Sequence, residues 1–406
     1  MKILYTIAVM LGLSPLLCSG VPLDSEPADP NRIPVLPGPD SLLKTVLENN
    51  RTLRSSREAY QAAILGAGTG IAPPNPEVEF GYMYGSPADM GNKVDFSVSQ
   101  ELDFPTAYIY KSRLRKIKTS QAELSYILAR QEVLLEAKQL WIEQIYLNQQ
   151  ESLLASRLSQ AKIINEHFKS LVESGEKSQL AYSQSNLQLV SIQSEYEQVL
   201  VDISKLRLAL KEISGGMEVE ISDTLFPEPL VLIPDSLIKA YMESPRMILY
   251  RKELLSKEEQ KNLAVSETLP KLKAGYYSET ILDQKLKGFQ IGITVPLWEN
   301  SNRVKQAKSE ISFAESDAER FTYEQQKDLL QKLDQLESLR KRTGELAEAL
   351  GTGNSMDLLA QSLESGEISQ SEYFYASDFY FRNEQMLVEY KRDLLLLEAE
   401  LLKVYL

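Results

Sequence analysis

From Thr106 to Ser174 the chain carries neither glycine nor proline. Leu140, Leu147, Leu154, Ala161 and Phe168 mark a seven-residue stripe along this run. The pattern predicts a single helix, which at 1.5 Å per residue would extend ~100 Å. No compact domain of 406 residues could contain it, so it must lie along other long helices.

The partner is announced just after the run. The decapeptide Glu-Ser-Gly-Glu-x-Ser-Gln-x-x-Tyr spans Glu173–Tyr182 and recurs at Glu364–Tyr373, 191 residues later. After the first copy, Leu189, Ile192, Tyr196, Val199, Ile203, Leu206, Leu210 and Ile213 alternate three- and four-residue steps. The same offset gives Tyr380, Asn383, Leu387, Tyr390, Leu394, Leu397, Leu401 and Val404. Sustained three-four spacing is a seam for another helix. Each unit therefore reads as a long helix, a sharp turn and a returning helix, with Gly175 and Gly366 suited to a positive-φ helix exit. The second long helix, about 302–363, is interrupted by Gly344, Gly351 and Gly353, and Gly351–Asn354 reads as a local break, either a tolerated bend or a hinge.

Upstream of each long helix the period changes to two. Val78, Phe80, Tyr82 and Tyr84 alternate with Glu77, Glu79, Gly81 and Met83, and Val94, Phe96 and Val98 alternate with Asp95, Ser97 and Ser99. Leu272, Ala274 and Tyr276, then Phe289, Ile291, Ile293, Val295 and Leu297, repeat the pattern. These are two hairpins with one apolar face, over 77–102 and 271–297, in strands of about the length that crosses a bilayer. Four strands leave two open edges, which cannot sit in lipid, and they are too few to close a barrel. Either the hairpins form a soluble sheet or several chains pool them.

The organisation that follows is a unit over 40–214 with its tip turn at 174–180, a crossover at 215–234, and a second unit over 235–406 with its tip turn at 365–371. Asp40-Ser41-Leu42-Leu43-Lys44 matches Asp235-Ser236-Leu237-Ile238-Lys239, each opening on an aspartate suited to capping a helix. Gly215, Gly216, Pro227, Pro229 and Pro234 mark the crossover as extended. Residues 1–20 read as a secretory signal, Lys2 followed by an apolar run from Ile3 to Leu17. Residues 21–39 hold six prolines and read as an extended strap. Cys18 is the only cysteine, so no intrachain disulfide forms; a lipid on Cys18 is disfavoured by the bulky Leu17 before it.

A net charge of −13, from 44 basic and 57 acidic residues, argues against a nucleic-acid partner. The single histidine, His167, lies in the long helix and reads as a surface residue. There is no phosphate loop, zinc spacing or nucleophile arrangement, so no enzyme activity, metal site or cofactor is expected.

The order helix, hairpin, long helix, glycine turn, helix, doubled behind a signal, resembles the TolC-like outer-membrane efflux proteins from about Asp40 to Leu406. Asn49-Asn50-Arg51-Thr52-Leu53 and Ser244-Pro245-Arg246-Met247-Ile248 are similar to that family's Asn-Pro-x-Leu motif, with Asn50 in place of the usual proline. Gln100-Glu101-Leu102 and Val295-Pro296-Leu297-Trp298 are similar to its strand-to-helix junction, without the common Asp-Gly-Gly after the aromatic residue.

The resemblance implies an α+β membrane protein of two tandem repeats. It implies a homotrimer whose three sets of four strands close a 12-stranded β-barrel and whose helices form an α-helical periplasmic tunnel. The implied function is a passive exit duct of a tripartite efflux or type I export system in the outer membrane. Its partners would be outer-membrane lipid, a periplasmic adaptor and an inner-membrane transporter. The tips Gly175, Glu176, Ser178, Gly366, Glu367 and Ser369 would meet the adaptor. Glu372, six residues after the second turn glycine, would line the pore constriction with Glu367, while Tyr375 stands where the family has a further acid. The alternative is a periplasmic coiled-coil structural or adaptor protein with a soluble β domain. The sequence names no cargo.

Overall fold

The computed structural model describes residues 40–219, 221–298, 300–351 and 355–406. The signal segment, Cys18, the proline-rich strap and residues 352–354 of the glycine break lie outside them.

Helices α1 (Asp40–Asn49) and α2 (Arg51–Ala67) are followed by strands β1 (Glu77–Met83) and β2 (Lys93–Leu102). Next come α3 (Pro105–Glu173), α4 (Gln179–Ile213), α5 (Pro234–Met242) and α6 (Pro245–Ser266). Strands β3 (Lys271–Ile281) and β4 (Gln284–Thr294) lead into α7 (Arg303–Leu350), α8 (Ser355–Glu364) and α9 (Gln370–Leu401). Helix α3 is 69 residues long, roughly 100 Å. Its fixed-φ Pro105 sits at the first helical position, where no N–H is needed. Gly344 lies inside α7 with open space where a side chain would go. The helix ends at Leu350, against Gly351.

Local chemistry corrects three details of the sequence reading. Asn50 does not stand in the proline position: it caps α2, its side chain accepting from the Leu53 N–H at 2.9 Å and donating to the Ile213 carbonyl at 2.7 Å. Ser244 plays the same capping role before Pro245, so Arg51 is the residue that replaces proline. Asp235 is not a cap either. Pro234 opens α5, and Asp235 lies in the first turn, where its charge still meets the positive helix end. Finally, β4 stops at Thr294 rather than 297, because Pro296 has no N–H for a ladder.

Helix α3 is the scaffold on which α1, α2, α4, α6 and α9 pack, while α7 packs against α6 and α9. Along α4 the buried residues are Ser185, Ile192, Ile203, Leu206, Leu210 and Ile213, the single seam its heptads describe. Helix α9 meets both α3 and α7, so it buries a wider face that includes Tyr373, Phe381, Leu394, Leu395, Glu398 and Leu401.

The crossover is strapped across these helices. Trp141 Nε1 donates to Asp223 at 3.3 Å, and Asn148 Nδ2 donates to the Asp223 carbonyl at 2.9 Å. Further along, the Leu230 N–H donates to Glu398 at 3.3 Å, and Arg340 bonds both the Leu230 carbonyl and Glu398, the latter at 2.7 Å. Glu398 is 4% exposed and Lys138 8% exposed. Burial lowers the Lys138 pKa, and the Glu398 charge opposes that shift.

The four strands form one antiparallel sheet in the order β1-β2-β3-β4. Pairing runs Phe80↔Phe96, Phe96↔Ser278 and Ser278↔Lys287 along one row, and Val78↔Val98, Val98↔Tyr276 and Tyr276↔Phe289 along the next on the same face. Strands β1 and β4 each keep one edge unpaired in the sheet order.

Candidate functional site

Two regions carry what this chain can do: the turns at the far end of the long helices, and the exposed face of the sheet.

Both turns use the same backbone device. Gly175 and Gly366 adopt φ of 79° and 78°, a left-handed conformation that costs glycine nothing. This lets the Glu176 N–H return to Leu171 and the Glu367 N–H return to Ser362, each at 2.9 Å, closing the helix ends. Ser178 and Ser369 then cap the returning helices by accepting from the Ala181 and Glu372 N–H groups. The turns lie side by side, since Gln370 donates to the Ala181 carbonyl at 3.1 Å.

They differ at Lys177/Ile368, Leu180/Ser371 and Ala181/Glu372, and the last of these changes the cap. Ala181 and Glu372 each stand three residues after the cap, and Glu372 completes a capping box by accepting from the Ser369 N–H at 2.8 Å. These hydrogen bonds from Ser369 hold the Glu372 carboxyl below the usual carboxylate range. The carboxylate is thus turned back onto its own helix start, while remaining exposed. Glu367 is exposed and accepts from Ser362 at 3.4 Å, and Tyr375 is 79% exposed. Tyr373 instead packs inward at 3% exposure. Gly175, Glu176, Ser178, Gly366 and Ser369 all lie on the exposed turns.

Behind the turns, α3 and α9 are joined by two reciprocal clamps. Arg157 of α3 stacks 4.0 Å from the Phe381 ring centroid and pairs with Asp378 at 2.9 Å. Arg392 of α9 stacks 4.3 Å from the Tyr146 ring centroid and pairs with Glu143 at 3.8 Å. A cavity of about 350 Å³ beside the first clamp is lined by Ser185, Tyr373 and Glu384 among others, and burial raises the Glu384 pKa. Among the described residues no three His, Cys, Asp or Glu side chains gather as a metal site. His167 is exposed.

The sheet is two-faced. One face carries Val78, Phe80 and Tyr82 on β1 and Phe289, Ile291 and Ile293 on β4. Phe289 and Ile291 are 85% and 84% exposed. The opposite face carries charged residues in ion pairs: Lys93 with Asp95 and Glu279, Lys271 with Glu101, and Lys273 with Glu77. No described helix is long and apolar enough to cross a membrane.

Neither a family profile nor a curated protein matches the sequence. Solved structures do match. The Campylobacter jejuni CmeC outer membrane channel aligns over 90% of this chain and 85% of its own, with TM-score 0.73 and 15% identity. The outer membrane protein VceC of Vibrio cholerae aligns over 90% and 95%, with TM-score 0.73 and 12% identity. A membrane protein from Pseudomonas aeruginosa aligns over 90% and 89%, with TM-score 0.76 and 17% identity. The chain has the TolC-like outer-membrane channel fold.

Within the TolC-like fold, one feature escaped the sequence reading. Leu180, Leu187, Val201 and Leu208 of α4 are 67%, 67%, 48% and 68% exposed. With Ser194 between them they recur every seven residues, forming a second apolar row beside the buried seam. The signal was present in the spacing, but it was masked by the stronger seam next to it.

Proposed function

We propose that this chain is the outer-membrane duct of an export assembly. Three copies would pool their sheets into a closed barrel of tandem-repeat origin and their helices into a periplasmic tunnel. The turns would meet an adaptor linked to an inner-membrane transporter. The duct would be passive, with no catalytic chemistry of its own.

The apolar face of the sheet carries this reading. On β1 the apolar positions run from Val78 up to Tyr82. On β4 they run from Phe289 down through Ile293, with Val295 and Leu297 also exposed beyond the strand. The upper limit drops four residues between the two outer strands, since Tyr82 shares a row with Lys285. Four residues at ~3.3 Å across three strand spacings of ~4.8 Å is a slope of about 40°. That is the tilt strands need to close a barrel, with the band then level in the bilayer. A soluble sheet would leave these side chains in water at a cost of roughly 25 cal/mol per Å², and the open edges of β1 and β4 have natural partners in neighbouring copies. The exposed row on α4 supports the same assembly, because a neighbouring helix would cover it. Glu372 and Glu367, gathered three-fold near the pore axis, would favour cations at the constriction.

Membrane fractionation tests the reading. A duct stays in the membrane through an alkaline wash, requires detergent for extraction as a trimer, and conducts ions in planar bilayers. Release by salt or alkali would instead favour a periplasmic coiled-coil structural or adaptor protein.

A further inference from the structure

The five lysines of the sheet divide by face. Lys93, Lys271 and Lys273 point to the charged face, and each is paired with a carboxylate within 3.5 Å. Lys285 and Lys287 stand on the apolar face, both exposed, and among the described residues neither forms an ion pair. Their cross-strand neighbours are Thr280 and Ser278, so no acid opposes them on that face.

Their position along β4 is equally specific. Ile293, Ile291 and Phe289 fill three successive positions on the apolar face, and Lys287 and Lys285 take the next two, ending at the β3–β4 turn. That turn lies at the end of the sheet opposite the helix junctions, hence the end facing outward if the barrel spans the membrane. An unpaired cation directly above lipid-facing apolar side chains matches the depth of headgroup phosphates and is attracted to an anionic surface.

We propose that Lys285 and Lys287 form an anionic-lipid contact at the outward rim of the apolar band, with a lipid phosphate as the ligand. The proposal rests on the membrane-spanning reading of the sheet, which the same experiment checks separately. The full-length protein is purified in neutral detergent, and its Tm is followed as phosphatidylglycerol, phosphatidylcholine or inorganic phosphate is added. Wild type reconstituted in vesicles is washed with alkali in parallel.

Phosphatidylglycerol should raise the Tm, phosphatidylcholine and inorganic phosphate much less. K285Q/K287Q should need about 30-fold more phosphatidylglycerol for the same rise, because two surface charges no longer attract the phosphate. K285R/K287R should respond like wild type. The wild-type response should also collapse near 0.5 M salt, as roughly expected from screening. An unchanged response in K285Q/K287Q, or an equal response to phosphatidylcholine or inorganic phosphate, would overturn the proposal alone. Release of wild type by alkali would overturn the membrane-spanning reading and the lipid contact with it.

Discussion

Replacing Glu398 with glutamine removes one charge at the point where the crossover meets the helices. Glutamine keeps the shape, but its single carbonyl oxygen can accept from either the Leu230 N–H or Arg340, whereas the two carboxylate oxygens serve one each, so one hydrogen bond is lost with the charge. Arg340 then loses its ion-pair partner, and Lys138 loses a nearby negative charge. Arg340, with a side chain 33% exposed, can recover hydration, but Lys138 at 8% cannot. Leaving one member of a buried ion pair uncompensated costs about 3–5 kcal/mol. Part of that is relieved if Lys138 gives up its proton, so we expect E398Q to destabilise by about 3 kcal/mol. The penalty resides in the stranded Lys138 charge. Lys138→Met should therefore cost about 1 kcal/mol or less alone and should rescue about 2 kcal/mol of the E398Q loss. The assay is unfolding of the detergent-purified chain followed by far-UV circular dichroism at one protein concentration, for both singles and the double variant. Protease cleavage within 215–234 should rise in E398Q and fall back in the double. Effects that simply add, within about 0.5 kcal/mol, would refute the claim that Lys138 is the stranded group.

Lys138 also predicts a pH dependence. Its folded pKa lies below the unfolded value, so the unfolded state binds more protons between the two and stability should rise with pH through that window, up to 10.5. The slope should vanish in K138M. At the tip, Glu372→Ala removes both charge and capping box, whereas Glu372→Gln retains a side chain able to cap. Both should weaken block of single-channel current by a trivalent cation, but only the alanine variant should also lower the Tm. Unchanged block in both would remove Glu372 from the constriction. Gly366→Ala should cost about 1 kcal/mol through its positive φ alone, since nothing lies within 4 Å of the added methyl. Gly344→Ala, in the open interior of α7, should instead stabilise by about 1 kcal/mol. Equal effects in one thermal melt series would contradict the assigned backbone states.

Much of the architecture was legible because its signals are periodic and long. The unbroken run after Thr106 is one helix, the α4 heptads are its buried seam, and the alternating runs are the strands. What escaped the sequence depends on which element meets which. The broad buried face of α9 follows from having two helical partners, a fact no single heptad contains. The capping role of Asn50 was hidden by aligning arginines rather than helix starts. The burial of Glu398 has no local signal in the sequence, because it is set by the crossover passing over it. The task of Glu372 in its capping box is local, and Ser369 three residues earlier already signalled it.

The two halves, alike at their turns, are unequal in mounting. Helix α3 runs unbroken and receives packing from five other helices, whereas the second long helix is divided between α7 and α8. The second coil is fastened to α3 through α9, and two of the fastenings are ion pairs: Arg157 with Asp378 and Arg392 with Glu143. Apolar seams resist separation over their whole buried area, but an ion pair can be exchanged for water as it opens. The second coil therefore has the more exchangeable fastening of the two. It also carries Glu372, the one charged residue by which the paired turns differ at that position.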